Sequence, residues 1–256
     1  MKRKIIAVCI TLAIPAVGMG ATEPSVLTST ATASEKIREL FPPALARRMV
    51  IGTGVAIAIA APIDRSIRRH YFPHFQSHGA VNLRHFGDAG QLAGPVIGTG
   101  FLIEGLAAHD QKSKDTAVLS YESFLIAGAA SGILKGVIGR RRPSKTEDPF
   151  TFHPAGHDSS FPSGHTTVAF AAATVFSEQY PHWYVIVPAY AAASTVGLSR
   201  LYANQHWLSD VVAGALLGTV TSHLLRNHLR HSRGKTAWHL EPDLSGIRLV
   251  RSFGGN

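Results

Sequence analysis

The chain has 256 residues, of which 45% are hydrophobic and 16% are charged, and its net charge is +9. So much apolar surface excludes an intrinsically disordered chain, and the length suits one domain or one membrane bundle rather than two full domains. The excess of basic residues favours an anionic partner: a nucleic acid, an anionic membrane surface or a phosphorylated substrate. Nucleic acid is the least favoured, since the sequence has no zinc-finger spacing, basic zipper helix or RNA-binding aromatic motif.

The first residues, 1–21, have the pattern of a signal peptide for export. Basic residues at 2–4 precede an apolar stretch at 5–17, and small residues suited to cleavage extend to Ala21. The apolar stretch has only about 13 residues, fewer than the ~20 that span a bilayer, so cleavage is favoured over an uncleaved anchor helix. Cleavage would also remove Cys9, the one cysteine, and neither disulfides nor thiol chemistry is then expected.

After a linker at 22–43, apolar periodicity predicts an all-α fold. Helices are expected at 44–63 (ended by Pro62), 89–108, 116–138, 164–179, 183–198 and 207–230. Small residues dominate these segments, which allows helices to pack closely in lipid or in water. We therefore predict a catalytic domain at 44–230, built as a bundle of about six core helices.

The last segment, 231–256, is predicted to be a tail outside the bundle. Its residues alternate weakly between polar and apolar, with Ser245-Gly246 as a turn signal before Ile247–Phe253. A small β-hairpin and a frayed tail are both compatible with this pattern.

Three short clusters in the second half of the chain carry most of its chemical information. They are Lys135 with Arg142-Pro143, then Pro162-Ser163-Gly164-His165, and last Ser199-Arg200 with His206 and Asp210. In this order and at these spacings they resemble the signature of the type 2 phosphatidic acid phosphatase and vanadium haloperoxidase superfamily. The resemblance implies a helical bundle and a metal-independent hydrolase of phosphoric esters.

Three cations in these clusters suit a phosphate-binding cage. Hydrolysis of a phosphomonoester depends largely on positioning and on electrostatic stabilisation of charge on the phosphoryl oxygens. Lys135 is expected near a helix end and Arg142 in the loop that follows, where Pro143 stops the helix. Together with Arg200, they would neutralise the phosphate. An arginine offers a planar fork for two oxygens, whereas a lysine acts as a point charge.

The second cluster precedes a helix and is predicted to bind the phosphate through backbone amides. A helix N-terminus directs N–H groups and the positive end of its dipole towards an anion. Ser163 and Gly164 are therefore expected to be phosphate ligands, and Gly164 lets the backbone approach closely. His165 is expected to be the general acid that protonates the leaving alkoxide, because imidazole titrates near neutrality.

The third cluster pairs an imidazole with a carboxylate. His206 and Asp210 are four residues apart, on one face of a helix expected to begin near His206. Asp210 can then accept the proton of one ring nitrogen and leave the other nitrogen free to attack phosphorus. The resemblance implies the same roles: His206 forms a phosphohistidine, Asp210 orients it, and His165 acts first as acid and then as base for water.

No metal or other cofactor is predicted. The histidines at 70–85, 153 and 157 lack the paired carboxylates or thiolates of a metal site. The expected activity is hydrolysis of phosphomonoesters or diphosphates, with lipid phosphates or polyprenyl diphosphates as the favoured substrates. Three alternatives stand beside it: a soluble non-specific periplasmic acid phosphatase, a vanadate-dependent haloperoxidase, and a non-catalytic envelope protein.

The sequence leaves the location divided between two forms of an exported envelope protein. Six helical segments resemble an integral inner-membrane bundle. Glu104 and Glu122 lie within two of them, and a carboxylate at the centre of a bilayer-spanning helix costs roughly 2.5–3.5 kcal/mol. A cleaved signal followed by spanning segments would also leave Lys135 and Arg142 on the cytoplasmic side. We therefore favour a soluble or peripheral periplasmic enzyme over an integral one.

Overall fold

The computed structural model describes residues 43–71, 78–156, 159–232, 236–243 and 246–253. The predicted signal peptide and the predicted linker up to residue 42 lie outside these residues. Within them the chain forms seven α-helices and two β-strands. The helices are α1 (Pro43–Tyr71), α2 (His78–Gly90), α3 (Ala93–Ala107), α4 (Gln111–Ile138), α5 (Gly164–Gln179), α6 (Trp183–Tyr202) and α7 (Leu208–Ser232). The strands are β1 (Thr236–Asp243) and β2 (Gly246–Phe253).

The predicted helical bundle is confirmed. Residues Pro43–Arg226 form one compact unit, in which α4 packs on α3 and α5, and α6 packs on α2 and α5. Small side chains let these helices approach closely. At Gly218 of α7, for example, an added Cβ would overlap the backbone carbonyl of Thr167 in α5. The abundance of alanine and glycine therefore serves helix contact, as expected from the sequence.

The C-terminal residues after the bundle form a hairpin. β1 and β2 pair antiparallel, from Thr236 opposite Phe253 to Asp243 opposite Gly246. The tail therefore forms a hairpin and is not frayed. The whole of β1 lies before the turn predicted at Ser245-Gly246.

The structure differs from the sequence prediction most clearly between residues 62 and 92. The first helix does not end at Pro62 but continues to Tyr71, the expected helix at 89–108 begins only at Ala93, and α2 (His78–Gly90) is a helix that was not predicted. A proline inside a helix removes one backbone hydrogen bond, a local cost that tertiary contacts can offset. Here Asp64, two residues beyond Pro62, is buried and bonded to residues of the α4–α5 loop and α7.

The outer surface of the bundle is apolar. On α1, isoleucine and valine side chains spaced four residues apart are exposed: Ile51, Val55, Ile59 and Ile63. On α4, Ile133 and Val137 are 68% and 67% exposed. Two helical segments are long and apolar enough to cross a membrane, Gln111–Ile138 and Leu208–His228. Such stripes of large aliphatic side chains are unfavourable in water and suit a lipid environment.

Candidate active site

The three sequence clusters meet in one place, where the end of α4, the beginnings of α5 and α7, and the end of α6 come together. Lys135 reaches from the last turn of α4 to the backbone oxygens of Ser159 and Ser160, at 3.2 and 3.3 Å, just before α5. An added Cβ on Gly164 would lie 3.7 Å from Lys135 Cε. The ammonium group is therefore held beside the N-terminus of α5, where a phosphate would bind.

The local sequence explains how α4 delivers Lys135. Asp110 caps the beginning of α4, accepting hydrogen bonds from the amides of Lys112 and Ser113 at 3.3 and 2.9 Å. At the other end, Gly139 adopts a left-handed conformation with φ of 61°, and its amide bonds to the carbonyl of Lys135. A side chain there would overlap the backbone of His153. Gly139 thus ends the helix one turn after the lysine and turns the chain into the loop that holds the arginines.

Arg142 and Arg200 reach the site from different elements. Arg142, in the α4–α5 loop, donates from Nη1 to the side-chain oxygen of Gln205. Arg200, in the last turn of α6, is only 4% exposed. Its Nη1 donates to Asp88 Oδ1 at 2.7 Å, and its Nη2 donates to the carbonyl of Arg84 at 3.0 Å. The fork of Arg200 is therefore held from α2, a connection that the sequence analysis did not predict.

Ser163 is the N-cap residue of α5, and its backbone is extended with φ of −71° and ψ of 108°. Its side chain makes no capping bond to the helix; instead the hydroxyl accepts a hydrogen bond from Thr166 Oγ1 at 2.8 Å. The Ser163 amide donates to the carbonyl of Asp210 at 3.0 Å, which fixes the start of α5 against α7. The amides of Gly164 and His165 at this helix start can therefore serve an anion.

His165 lies on the side of the site formed by α2. Its Nε2 is 3.8 Å from Asp88 Oδ1, and its side chain is 28% exposed. Burial, assisted by the positive charges of Arg200 and other basic groups, lowers the pKa of His165 to about 4, although Asp88 acts in the opposite direction. This lowered pKa favours the neutral form of His165 at pH 7.

His206 and Asp210 form the opposite side of the site. His206 Nδ1 lies 3.7 Å from Asp210 Oδ2, and both side chains are buried. Burial lowers the pKa of His206, with the nearby charge of Lys135 acting in the same direction and Asp210 opposing both. The helix begins at Leu208 rather than near His206, so the imidazole belongs to the loop before α7 and the carboxylate to its first turn. With Nδ1 facing Asp210, Nε2 is the ring nitrogen that can serve as nucleophile.

Sequence reasoning missed three charged residues around this site: Asp64 and Arg140, which are buried, and Asp88, which is half-exposed. None of the three is one of the defining residues of the three sequence clusters. The sequence offered only weak local signals for them. Asp64 and Asp88 are single acidic residues in otherwise apolar or basic segments, and Arg140 stands two residues before Arg142.

Comparison with known proteins assigns the region that contains all of the predicted site residues. Residues 117–232 match the family model described as the PAP2 superfamily. This segment belongs to the PAP2 superfamily. The resemblance inferred from the three clusters is thereby confirmed, and the match covers α5, α6, α7 and all but the first residues of α4.

Two curated relatives illustrate the similarity. A lipid A 1-phosphatase of Porphyromonas gingivalis is 45% identical over 69 residues, which are 26% of this chain and 15% of the relative. An undecaprenyl-diphosphatase of Sulfolobus acidocaldarius is 35% identical over 103 residues, which are 40% of this chain and 50% of the relative. The chain thus spans half or less of the length of the relatives that it matches.

A solved structure is similar over a larger part of the chain. It is described as the first transmembrane PAP2 type phosphatidylglycerolphosphate phosphatase, from Bacillus subtilis. It aligns with 72% of this chain and 95% of its own, at 19% identity and a TM-score of 0.49.

The preference for a soluble or peripheral protein is wrong. The bundle exposes stripes of large aliphatic side chains, and among the described residues two helices are long and apolar enough to cross a membrane. The sequence argument against a membrane location assumed that Glu104 and Glu122 both lie at the centre of a spanning helix. Glu104 instead lies in the last turn of α3, and Glu122 is half-buried, so neither requires an exposed charge at the bilayer midplane.

Proposed function

We propose that this chain is a membrane phosphatase that hydrolyses lipid phosphates or diphosphates through a phosphohistidine on His206. The observation that carries the proposal is the convergence of two imidazoles, three cations and one helix N-terminus on a single site. The cations Lys135, Arg142 and Arg200 would neutralise the phosphoryl oxygens, with the amides of Gly164 and His165 as further donors.

The reaction follows from these positions in two steps. His206 Nε2 attacks phosphorus, a P–N bond forms, and the P–O ester bond breaks as His165 gives its proton to the departing oxygen. In the second step, neutral His165 takes a proton from water as the water oxygen attacks phosphorus. The P–N bond then breaks, inorganic phosphate leaves, and His206 and His165 return to their initial states. Asp210 stays ionised throughout, and its negative charge, 3.7 Å from His206 Nδ1, stabilises the positive charge that develops on the His206 ring.

Binding of the substrate would make His165 a proton donor despite its low pKa in the ligand-free protein. A proton donor must be protonated in the complex, whereas the positive surroundings of His165 keep it neutral in the ligand-free protein. A phosphate group brings up to two negative charges next to the imidazole, and an opposite charge this close favours the protonated form. Substrate binding would therefore charge the general acid at the moment when it is needed.

An apolar cavity beside the site favours a lipid substrate. The cavity has a volume of about 290 Å³ and is lined by alanines and larger apolar side chains of α2, α3, α5 and α6. Phe86 and Ala89 of its wall flank Asp88, Ala169 lies one turn beyond His165, and Val196 lies one turn before Arg200. A hydrocarbon chain attached to a bound phosphate would find apolar surface there, where each buried CH₂ is worth about 0.8 kcal/mol.

The decisive experiment is to trap the intermediate in the detergent-purified full chain. His165→Ala, incubated with a ³²P-labelled aryl phosphate, should accumulate acid-labile, alkali-stable label on the protein, because the good leaving group departs without a proton while hydrolysis lacks its base. His165→Ala combined with His206→Ala should not be labelled. Label that is alkali-labile, or that persists without His206, would exclude the proposed nucleophile. His153→Ala, which changes an exposed histidine, is the matched control.

The substrate class is tested separately with a panel assayed on wild type. Phosphatidate, phosphatidylglycerol phosphate, lipid A and undecaprenyl diphosphate should be hydrolysed with higher kcat/KM than a soluble aryl phosphate. The reverse order would favour the alternative of a non-specific acid phosphatase, without affecting the trapping result.

A further inference from the structure

A buried cluster of charges lies behind the nucleophile and plays no part in binding the phosphate. It consists of Asp64 from α1, Arg140 from the α4–α5 loop, and Asp210 with Ser209 from the first turn of α7. Asp64 and Arg140 are each 1% exposed, and Ser209 and Asp210 are 0% exposed. Charged side chains are almost never this deeply buried unless they are paired, so the partners that each group finds are informative.

Arg140 makes four hydrogen bonds, three of them within this cluster. Its Nη1 donates to Asp210 Oδ1 at 2.7 Å and to Ser209 Oγ at 2.5 Å. Its Nη2 donates to Asp64 Oδ2 at 2.8 Å, and its Nε donates to the carbonyl of Pro149 at 2.7 Å. One guanidinium thus lies between two carboxylates, one of which is the partner of the nucleophile.

Asp64 fixes the same turn of α7 from the other side. Its Oδ1 accepts the amide of Ser209 at 2.9 Å, and its Oδ2 accepts the Ser209 hydroxyl at 2.6 Å. These bonds join residues 145 positions apart in the chain. A carboxylate that binds an amide in the first turn of a helix also interacts favourably with the helix dipole.

The Asp210 carboxylate has little freedom left. Oδ1 is held by Arg140, and Oδ2 accepts the backbone amide of Trp207 at 2.8 Å while lying 3.7 Å from His206 Nδ1. The indole of Trp207 donates to the carbonyl of Arg141 at 2.9 Å, and its ring lies 5.6 Å from the Arg140 guanidinium. The loop that carries His206 is therefore joined to the α4–α5 loop by two contacts, Arg140 with Asp210 and Trp207 with Arg141.

We infer that Arg140 and Asp64 are positioning residues of the reaction, which hold the Asp210 carboxylate in the orientation that aims it at His206. Neither residue reaches the phosphate cage. Arg140 supplies the counter-charge of Asp210, and Asp64 in turn balances Arg140, so that the arginine is shared between two carboxylates. This inference rests on the proposed roles of His206 and Asp210.

The alternating arginines of the α4–α5 loop provide a control. Arg140, Arg141 and Arg142 follow one another in extended backbone that pairs with Phe152 and Ser159. Arg140 is buried in the cluster and Arg142 is directed to the cage, whereas Arg141 is exposed. Arg141→Gln therefore removes the same charge from the same loop without changing the contacts of Asp210.

The test compares kcat/KM against pH for Arg140→Gln, Asp64→Asn and Arg141→Gln, in the full chain with a soluble aryl phosphate. The charged groups that face Asp210 are Arg140, His206 and Lys135, and Asp64 acts on it through Arg140. Without the positive charge of Arg140, the Asp210 carboxylate becomes protonated at a higher pH, and neutral Asp210 no longer stabilises positive charge on the His206 ring. The acidic limb of the profile should therefore move to higher pH by about one unit.

Asp64→Asn should move the same limb in the opposite direction. With Asp64 neutral, the charge of Arg140 acts on Asp210 alone, so Asp210 stays ionised to lower pH. Both variants should lose activity. The loss should be about tenfold or more for Arg140→Gln, because Arg140 holds the carboxylate that orients the attacking imidazole. Inhibition by inorganic phosphate should change less than twofold, about 0.4 kcal/mol, since the cage is intact.

Opposite displacements of the limb distinguish positioning from a purely structural role, which would lower the amount of folded enzyme without moving the profile. Wild-type activity and profile in both variants would overturn the inference, and so would lost activity with unmoved limbs. Removal of one partner of a buried ion pair can unfold a protein; if Arg140→Gln does not fold, the limb of Asp64→Asn decides alone. Failure of the phosphoenzyme trap would instead refute the proposed function itself.

Discussion

Arg200 Nη1 donates a hydrogen bond of 2.7 Å to Asp88 Oδ1, across 112 positions of the chain. The bond joins the last turn of α6 to α2 and sets the direction in which the guanidinium fork points. Burial would raise the pKa of Asp88, but the hydrogen bond and charge of Arg200 lower it below its ordinary value. The carboxylate is thus a fixed anion beside a cage of cations, with His165 Nε2 3.8 Å away.

This relationship predicts that charge alone does not replace Arg200. Arg200→Lys should weaken inhibition by vanadate by about tenfold or more, because the lysine cannot bond to Asp88 and Arg84 while presenting two donors to the oxyanion. The inhibition constant of vanadate, measured for wild type and variant at one pH, gives the ratio. Lys145→Arg, a substitution at an exposed loop position, is the control. Equal inhibition of wild type and Arg200→Lys would place Arg200 outside the cage.

The two histidines should differ in their dependence on the leaving group. His206→Ala is expected to abolish turnover of every substrate, because no other side chain replaces the attacking nitrogen. His165→Ala should slow the first step far more for an alkyl phosphate than for a nitrophenyl phosphate, by about 10²–10⁴-fold, since only the alkoxide needs a proton. Single-turnover rates with both substrates measure this difference. An equal loss with both would remove His165 from the role of general acid.

Chelation is expected to leave activity intact. The three cations do the charge neutralisation that a divalent metal ion supplies in other phosphatases, and no group of three or more potential metal ligands occurs among the residues that the structure describes. Activity should be measured after dialysis against EDTA, with and without added Mg²⁺ or Zn²⁺. Complete loss, restored by one of these ions, would refute the cage mechanism.

Anion binding should be linked to proton uptake by His165. Its pKa of about 4 in the ligand-free protein rises when an anion occupies the cage, so binding should strengthen as the pH falls from 7 towards 4 and then level off. Sulfate is a suitable probe because its own charge does not change in this range. The rise in Tm produced by sulfate should be larger at pH 5 than at pH 7, and His165→Gln should reduce this difference. An unchanged pH dependence in His165→Gln would assign the linkage to another group.

The apolar cavity predicts a test of chain length. Ala189 lines the cavity about three turns of α6 away from Arg200. Ala189→Leu should raise KM for a long-chain lipid phosphate and leave KM for a short-chain analogue unchanged. Ala191→Leu makes the same substitution at an exposed position of the same helix. Equal effects of the two variants, or equal effects on long and short chains, would separate the cavity from substrate binding.

The sequence by itself determined the helical class, the family and the residues proposed for the chemistry. Helical periodicity and small-residue content are local properties, and the motif spacings place Lys135 near a helix end and His165 at a helix start without reference to the rest of the chain.

Only the tertiary structure decided what surrounds these residues. Three charged residues form hydrogen bonds with partners 70 to 145 positions away in the chain: Asp64, Asp88 and Arg140. No local sequence pattern encodes such a pairing. The same holds for α1, which continues past Pro62 where its next turn is anchored by Asp64. It holds also for location: the cost of a carboxylate in a membrane depends on its depth and on its neighbours, which are properties of the folded bundle and not of the order of its residues.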